Sequence, residues 1–434
     1  MRLSWLARLT WSCVIGLLVR QTRRMGRRAP RIWHGTFPMH IVKDMVDVDR
    51  RAGFTSGSIV HHTRLNASYS LVTSADFDVV LSDRGNRWDV LHWVTLCHLL
   101  RRADVFVMFF DTRFSEPTQP EKSGLALTLM RWFGLRLIAV PSGLDVVFSD
   151  RRAGRFPFLE RLQKDYPEWD LASDAAHIRR NVQTICQNVD FVISGDSVCS
   201  RFLTREDLRF KYFPVNTEAL PCFASRRSAK PRIVHAPNHR FIKGTDSLVA
   251  ATNRLREAGI EFELQLVEKV PRPQALQLFA EADIIADQFC IGAFGVFALE
   301  GLALGKPVLA YLDEEHLGDP VFNLPIVNAN PENLERVLAV LLAVPELRVR
   351  LGRAGRAAVE LYQSPEALAE VWAQIYRHVW WREPLRLETT RHFSAERGPR
   401  SFTEDPALAQ FWPVPVEDLL SQIERALESV ACSV

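Results

Sequence analysis

The chain has 434 residues, of which 47% are hydrophobic and 24% are charged. This length is too great for one ordinary core and fits two or three domains, and the composition excludes a largely disordered chain and a polytopic membrane protein. The formal net charge is only +3, yet residues 1–31 contain eight arginines and no acid. The basic character is therefore confined to the N-terminus.

Residues 1–30 are the first predicted element, a basic amphipathic segment. Residues 3–19 are apolar enough for a signal-peptide core, but the basic run follows the apolar run instead of preceding it. A helix here has one narrow polar stripe opposite a wide apolar face, formed by Ser4, Arg8, Ser12, Gly16 and Arg20. This pattern favours a helix lying on an anionic membrane surface, with residues 1–31 contacting the head groups. A helix docked on the protein and a short signal anchor are the alternatives.

From residue 31 onward, short β-branched runs alternate with helix-length amphipathic runs, which is typical of βα units in parallel sheets. We predict an N-terminal Rossmann-like, doubly wound domain over residues 31–216. Its predicted strands are RIWHG, TSGSIVHH, FDVVLSD, ADVFVMFF, LRLIAVP and DFVISGD.

A second βα series follows a Pro-containing basic linker at 217–230. We predict a second Rossmann-like domain over 231–372 and a helical C-terminal extension over 373–434 that packs back towards the first domain. Within that extension, VEDLLSQIERALESV predicts an amphipathic helix. The expected fold class is α/β, with two doubly wound domains facing each other across a cleft. Such sheets bind ligands at the carboxyl ends of their strands, so we expect the active site between the domains.

The stretch HAPNHRFIKGTD at 235–246 places a basic pair directly after a predicted strand. Gly244 precedes a helix whose free N–H groups favour an anion. Arg240 can bind two phosphate oxygens in a fork, and Lys243 adds a mobile point charge. The stretch therefore predicts a diphosphate site, with a solvated basic loop as the alternative.

A second motif, IGAFGVFALEGLALGKPVLAY, spans 291–311. Gly292 and Gly295 permit a tight turn before a helix, and Glu300 lies about one turn into that helix. Apolar neighbours surround Glu300, and a lone acid in that setting usually has a partner or ligand. The alternative is an ordinary acid on an amphipathic helix.

The two motifs, followed by IVNANPENLERVL, resemble the donor domain of GT-B glycosyltransferases of the GT4-like group (glycosyl transferases group 1) over 231–372. The resemblance implies that Arg240 and Lys243 contact a donor diphosphate and act in catalysis. It implies that Glu300, as the second Glu of an E-x7-E motif, binds the nucleotide ribose. The implied donor-binding residues are completed by Asn238, Gly244, Gly292, Phe294, Gly295 and Val296.

The chain departs from this family at Gly292, where the resemblance predicts a first Glu near the transferred sugar. Asp287 and Gln288, which follow the preceding strand, are candidate replacements. In the first half the resemblance is loose. His34 and Gly35 are similar to the family's glycine-containing first loop, which implies donor or acceptor contact.

PSGLDV at 141–146 is similar to the family's HGxD loop, although Ser142 stands in place of the His. This makes Asp145 a candidate catalytic residue, and the first domain is the implied acceptor domain.

The resemblance implies retaining transfer, of hexosyl type, from a UDP- or GDP-sugar to a hydroxyl of a glycan or lipid-linked acceptor. It implies glycan, polysaccharide or glycolipid biosynthesis, with no metal or other cofactor. The alternatives are a non-catalytic binding protein for a sugar nucleotide or glycan and an enzyme similar to sugar-nucleotide epimerases. Nucleic acid is not an expected partner, because the arginines adjoin an apolar helix and not a stacking surface.

The seven cysteines are scattered and show no metal-ligand spacing. They predict a reducing compartment and no structural zinc. We therefore expect a cytoplasmic protein that is peripheral on the inner face of the membrane.

Overall fold

The structure is a computed structural model. It describes residues 2–37, 39–61, 74–81, 88–110, 124–147, 156, 158, 175–222, 230–313, 324–390 and 393, and the side chains among them except those of 2–13, 88–93 and 144. The first of two compact units comprises the described residues of 1–151, 170–214 and 365–390. The second comprises those of 152–169, 215–364 and 391–434. The predicted C-terminal helix over VEDLLSQIERALESV lies outside the described residues.

The first unit contains a six-stranded parallel sheet in the order β3-β2-β1-β4-β5-β6. This is the doubly wound order, in which the chain fills one side of β1 and then the other. The central strand β4 is buried along its whole length because both faces of the sheet are covered. The strands are β1 (Arg31–Thr36), β2 (Thr55–His61), β3 (Val79–Leu81), β4 (Val105–Phe109), β5 (Arg136–Val140) and β6 (Phe191–Val192).

Seven helices accompany this sheet within the described residues up to 214. They are α1 (Arg2–Met25), α2 (His40–Arg51), α3 (Trp88–Arg102), α4 (Leu125–Trp132), α5 (Leu144–Val147), α6 (Ala175–Asn188) and α7 (Ser197–Ser200).

Helix α1 docks on the unit through the end of its predicted polar stripe. Gly16 lies so close to the Leu100 carbonyl of α3 that a side chain has no room there. Arg20 is buried and donates to three carbonyl oxygens, those of Ala103 (3.0 Å), Phe133 (2.6 Å) and Leu100. A buried guanidinium needs such partners. The described end of the stripe therefore faces the protein.

None of the helices in the described ranges combines the length and the apolar character needed to cross a membrane.

The second unit contains a five-stranded parallel sheet in the order β11-β10-β9-β7-β8. Its strands are β7 (Arg232–His235), β8 (Glu263–Leu266), β9 (Ile284–Ala286), β10 (Val308–Ala310) and β11 (Val327–Asn328). Its helices are α8 (Arg240–Lys243), α9 (Thr245–Glu257), α10 (Arg272–Ala280), α11 (Val296–Ala303), α12 (Leu334–Ala343) and α13 (Pro345–Tyr362). The two parallel α/β sheets and the helical C-terminal region confirm the predicted fold class.

The last described helix, α14 (Pro365–Trp381), returns to the first unit. Tyr376 donates its buried hydroxyl to Asp49 of α2 at 2.7 Å, and the Arg24 guanidinium lies 5.0 Å from the centre of the Trp380 ring. The central stretch of the second unit, 215–364, ends at residue 364, whereas the predicted domain extends to residue 372. The sequence placed that boundary inside α14 because an amphipathic helix does not reveal which core it covers.

Candidate functional site

The second sheet has its topological switch point between β7 and β9. From β7 the chain moves to β8 on one side and then to β9 on the other. Crevices at the carboxyl ends of strands beside such a point are where doubly wound sheets bind ligands. His235 ends β7, and Asp287 and Gln288 directly follow β9. Both predicted motifs therefore begin at this point.

The His235 side chain links the end of β7 to the end of β9 and to the start of α9. Its Nδ1 lies 2.7 Å from the Ala286 carbonyl and must donate to it, so Nε2 accepts from the Thr245 hydroxyl at 2.9 Å. The pKa of His235 is lowered to about 4, chiefly by burial and also by the nearby Lys243 charge, while the bond to the Ala286 carbonyl opposes the shift. The imidazole is therefore neutral at physiological pH and positions the start of α9.

Lys243 is the cation nearest the switch point. Its Nζ donates to Asp287 Oδ1 and to Gln288 Oε1, each at 2.7 Å. The Asp287 side chain is 0% exposed and that of Lys243 is 12% exposed. An ammonium has three N–H donors, so one is left without a partner among the described residues.

Asp287 also occupies the N-terminus of α11. Its Oδ2 accepts from the Gly295 N–H at 2.6 Å, directly before the first residue of the helix. A Cβ atom at Gly295 would come within 3.0 Å of Lys243 Nζ, so the ammonium lies against this backbone. We call Lys243, Asp287, Gln288 and Gly295 the Lys243 cradle. Within it the Lys243 ammonium and the Gly295 N–H each bind a carboxylate oxygen of Asp287, so both donors suit an oxyanion.

Arg240 is held by a different carboxylate. Its Nε and Nη2 donate to the two oxygens of Glu268 at 2.8 and 2.5 Å, and the Arg240 side chain is 48% exposed. These hydrogen bonds lower the pKa of Glu268 against the opposing effect of burial. Asn238 is exposed in the same turn. Gly244 has a φ of +70° and leaves no room for a Cβ atom, which would lie 2.9 Å from Cys290 Sγ.

Glu300, the fifth residue of α11, is buried and forms an ion pair. Arg272, the first residue of α10, donates from Nη2 to Glu300 Oε1 at 2.6 Å. Phe294 is buried before the helix, and Val296, its first residue, is half-buried. The carboxylate therefore lies where the sequence motif predicts it, but a neighbouring cation accompanies it.

Gly292 stands where the resemblance predicts an acid, and the structure shows what takes the space. Its φ is +87°, and a Cβ atom there would lie 2.8 Å from Asp313 Oδ2. The Asp313 N–H donates to the Gly292 carbonyl at 3.0 Å, which fixes the two residues together. The carboxylate of Asp313, which follows β10, thus lies against Gly292, the position at which the chain lacks the predicted acid.

The predicted residues of the first unit are engaged within that unit. His34 Nε2 lies 2.6 Å from Asp49 Oδ2, and both side chains are 1% exposed. Asp49 also accepts from Ser56 and from Tyr376. His34 Nδ1 is buried without a partner in the described part of the chain. Gly35 lies in β1 and, because of the close Ile59 carbonyl, has no room for a side chain.

Asp145 closes the turn that precedes it. Its carboxylate accepts from the N–H groups of Ser142 and Gly143, each at 2.9 Å. Tyr212 donates to the Pro141 carbonyl at the start of the same turn. These bonds position the loop after β5, and a catalytic role for Asp145 stays a prediction.

In the described ranges, no three His, Cys, Asp or Glu side chains are grouped closely enough to hold a metal ion. The five cysteines with described side chains are free thiols.

Sequence reasoning missed the partners of the predicted residues. One signal was available for Glu268, since it follows β8 and the carboxyl ends of adjacent parallel strands meet at one edge. No local pattern reveals that Arg272 or Asp313 approaches the second motif, because those contacts depend on how helices and loops pack.

The solved structures that resemble this chain include three from different organisms. Sucrose-phosphate synthase from Thermosynechococcus elongatus has a TM-score of 0.57 at 15% identity, over 82% of this chain and 100% of that one. HepE of Anabaena in complex with UDP-glucose has a TM-score of 0.50 at 12% identity, over 80% and 99%. The catalytic domain of starch synthase IV from Arabidopsis thaliana, bound to ADP and acarbose, has a TM-score of 0.50 at 10% identity, over 81% and 99%.

No protein-family model matches the chain, and no curated protein matches it. At these identities the structural similarity establishes the fold alone. The protein therefore has the GT-B fold, the two-sheet architecture of those three proteins.

Proposed function

We propose that the protein is a glycosyltransferase that moves a sugar from a nucleotide-diphosphate sugar to a hydroxyl acceptor. The GT-B fold is compatible with several activities, so the argument rests on the site. The observation that carries it is the Lys243 cradle, in which a cation lies against the N-terminus of α11 at the switch point of the sheet. Glu300 lies within the same helix.

The leaving diphosphate develops negative charge, and the cradle supplies groups that stabilise it. The remaining N–H of Lys243 donates to a phosphate oxygen, and the dipole of α11 adds positive potential. Arg240 also binds the diphosphate, and its hydrogen bonds to Glu268 are replaced by hydrogen bonds to phosphate oxygens. An exposed ion pair is worth only about 0–1 kcal/mol, so a diphosphate can displace that carboxylate.

Glu300 is the proposed ribose acceptor. A carboxylate accepts hydrogen bonds from both hydroxyls of a ribose. Because ribose is uncharged, these hydrogen bonds are the polar contacts by which the carboxylate recognises it. The ion pair with Arg272 orients this carboxylate within α11. Asn238, Gly244, Phe294 and Val296 are proposed to line the donor site.

The finer assignments are proposals that rest on the sequence resemblance. They comprise a GT4-like, retaining hexosyl transfer without a metal, a UDP- or GDP-sugar donor, and a glycan or lipid-linked acceptor in polysaccharide or glycolipid synthesis. His34, Gly35 and Asp145 belong to the proposed acceptor domain. For Asp145 the hydrogen bonds to Ser142 and Gly143 favour a positioning role. The proposed location is the cytoplasm.

The second candidate function is non-catalytic binding of a sugar nucleotide or glycan. One specific observation favours it: Gly292 stands where the resemblance predicts an acid near the transferred sugar, and a Cβ atom there would lie 2.8 Å from Asp313 Oδ2. A site without that acid keeps the groups proposed to bind the nucleotide and lacks one proposed to contact the sugar.

Calorimetric titration with UDP, GDP, ADP and their common sugar conjugates tests the proposal. Any conjugate that binds is then incubated with the protein and with membrane extract as acceptor, and release of nucleoside diphosphate is followed. We expect one nucleotide to bind and its sugar conjugate to turn over. Binding without release, even with acceptor, establishes the non-catalytic function instead, and no binding at all overturns both.

A further inference from the structure

Residues 14–25 of α1, whose side chains are described, have their apolar side outward. Gly16 and Arg20 face the protein, and by the helical period the opposite side carries Val14, Ile15, Leu18 and Val19. These side chains are exposed, and Leu18 is 62% exposed. A surface helix normally directs its apolar stripe towards the core. The reversal leaves a row of large aliphatic side chains in contact with water.

The end of α4 lies next to α1. Phe133, directly after α4, accepts from Arg20, and Leu17 Cδ1 lies 3.7 Å from the position of a Cβ atom at Gly134. Trp132, at the end of α4, is 73% exposed. We define the outer apolar face as Val14, Ile15, Leu18, Val19, Met25 and Trp132. Contiguous exposed apolar patches mark interaction surfaces, and Trp favours the boundary between water and lipid.

Basic residues border this face. Arg27 and Arg28 follow α1, and Arg101 and Arg102 end α3 beside the residues that receive Arg20. All four are exposed, and no ion pair is found for them among the described residues. The adjacent acid, Asp104, is fully buried and bound by Arg31 at 3.0 Å. The surroundings of the face are therefore positively charged.

Not every arginine of the N-terminus contributes to that charge. Arg20 is buried, Arg24 lies over Trp380, and Arg31 binds Asp104. Arg20 and Arg24 hold one side of α1 against the unit, and the opposite side is left for a partner. Arg31 is the first residue of β1.

We infer that the outer apolar face and its arginines bind an anionic lipid surface, with α1 lying in the plane of the membrane. Aliphatic side chains and Trp132 enter the boundary between head groups and acyl chains, while the exposed arginines contact phosphates. The charge around the face selects this occupant over a neutral apolar partner. The inference does not depend on the proposed reaction.

Vesicle co-sedimentation of the full chain tests the inference. The vesicles are phosphatidylcholine alone or with about 30% phosphatidylglycerol, a surface negative enough to attract clustered arginines. We expect binding to the anionic vesicles only, and weaker binding when salt is raised until the screening length falls to about 3 Å. Equal binding to both vesicle types, or none to either, overturns the inference.

Two pairs of substitutions separate the apolar and the electrostatic contributions. Ile15→Gln/Leu18→Gln should weaken vesicle partitioning at least about tenfold at either salt concentration. Arg27→Gln/Arg28→Gln should weaken it roughly tenfold at low salt and little at high salt. The matched control Arg353→Gln/Arg377→Gln removes two exposed charges elsewhere and should change little. Equal losses in the control pair and the N-terminal pair contradict a local site.

Folding and self-association are checked on the same proteins. The substituted side chains are exposed, so each variant should keep the wild-type unfolding temperature, and Trp132→Gln is an independent apolar variant. Light scattering without lipid reports the alternative occupant, a second copy of the chain. A dimer that Ile15→Gln/Leu18→Gln converts to a monomer, together with unchanged vesicle binding, overturns the inference.

Discussion

The carboxylate of Asp313 fills the space in front of Gly292, where a Cβ atom would lie 2.8 Å from Oδ2. Glycine is thus required at position 292 for two reasons. The backbone there is left-handed, and the Asp313 carboxylate leaves no room for a Cβ atom. We expect Gly292→Ala to lower the free energy of unfolding by about 1–3 kcal/mol, measured by urea denaturation.

Gly259 provides the control for that substitution. Its φ is +83°, but nothing lies within 4 Å of a Cβ atom there. Gly259→Ala therefore measures the backbone cost alone, on the order of 1 kcal/mol. Asp313→Gly in the Gly292→Ala background should recover the difference. Equal losses at positions 292 and 259 mean that Asp313 does not crowd this site.

The pair of Arg240 and Glu268 gives a prediction on donor affinity. Arg240→Ala should weaken binding of a nucleoside diphosphate by at least about 1.5 kcal/mol, the lower range for a hydrogen bond to a charged group. Glu268→Ala removes the competing carboxylate and should leave the affinity unchanged or raise it. Calorimetry measures both, and an affinity unchanged in Arg240→Ala removes this residue from the site.

Glu300 is predicted to recognise the ribose and not the phosphates. Glu300→Ala should weaken nucleoside diphosphate binding by at least about 1.5 kcal/mol and leave the affinity for inorganic pyrophosphate unchanged. Arg272→Ala is informative beside it, because it leaves the buried Glu300 without its cation and should lower stability. Equal losses for pyrophosphate and nucleotide contradict the ribose assignment.

His235 makes stability depend on pH. Its pKa is about 4 in the folded protein against an ordinary value of 6.5, so protons bind preferentially to the unfolded chain. The free energy of unfolding should therefore fall as pH decreases from about 6.5, by on the order of 3 kcal/mol when pH 4 is reached. Between about pH 6.5 and 5, where most carboxylates stay ionised, the His235→Gln variant should show a flatter dependence. An identical slope means that another group titrates.

The alternation of short apolar runs with amphipathic segments predicted both sheets, because parallel strands buried on both faces need β-branched and aromatic residues. It also placed the basic loop and the Glu300 helix correctly in the fold. His34 and Gly35 show where this reasoning ends. They end the predicted strand RIWHG and were compared with a loop of the family that the chain resembles, yet β1 continues to Thr36, because pairing with β2 extends to Thr36 and Val60. Pairing of that kind is a property of the neighbouring strand and not of the local sequence.

The ion pairs were beyond sequence reasoning for a related reason. Arg272 and Glu300 belong to two different helices, and their meeting depends on how α10 and α11 pack on the sheet. A charged side chain on a predicted helix could form ion pairs of similar free energy with many partners. Only the folded arrangement of the helices determines which pair forms. The same holds for Asp49, which gathers His34, Ser56 and Tyr376 from three elements.

The return of α14 to the first unit has a consequence for synthesis on the ribosome. Every strand of the two described sheets has been translated once residue 364 has emerged, and the Val215 N–H donates to the Gln363 carbonyl at 2.9 Å. The buried carboxylate of Asp49 in the first unit gains its hydrogen bond from the Tyr376 hydroxyl only when α14 follows. A nascent chain stalled before residue 376 therefore exposes the α2 surface that α14 later covers.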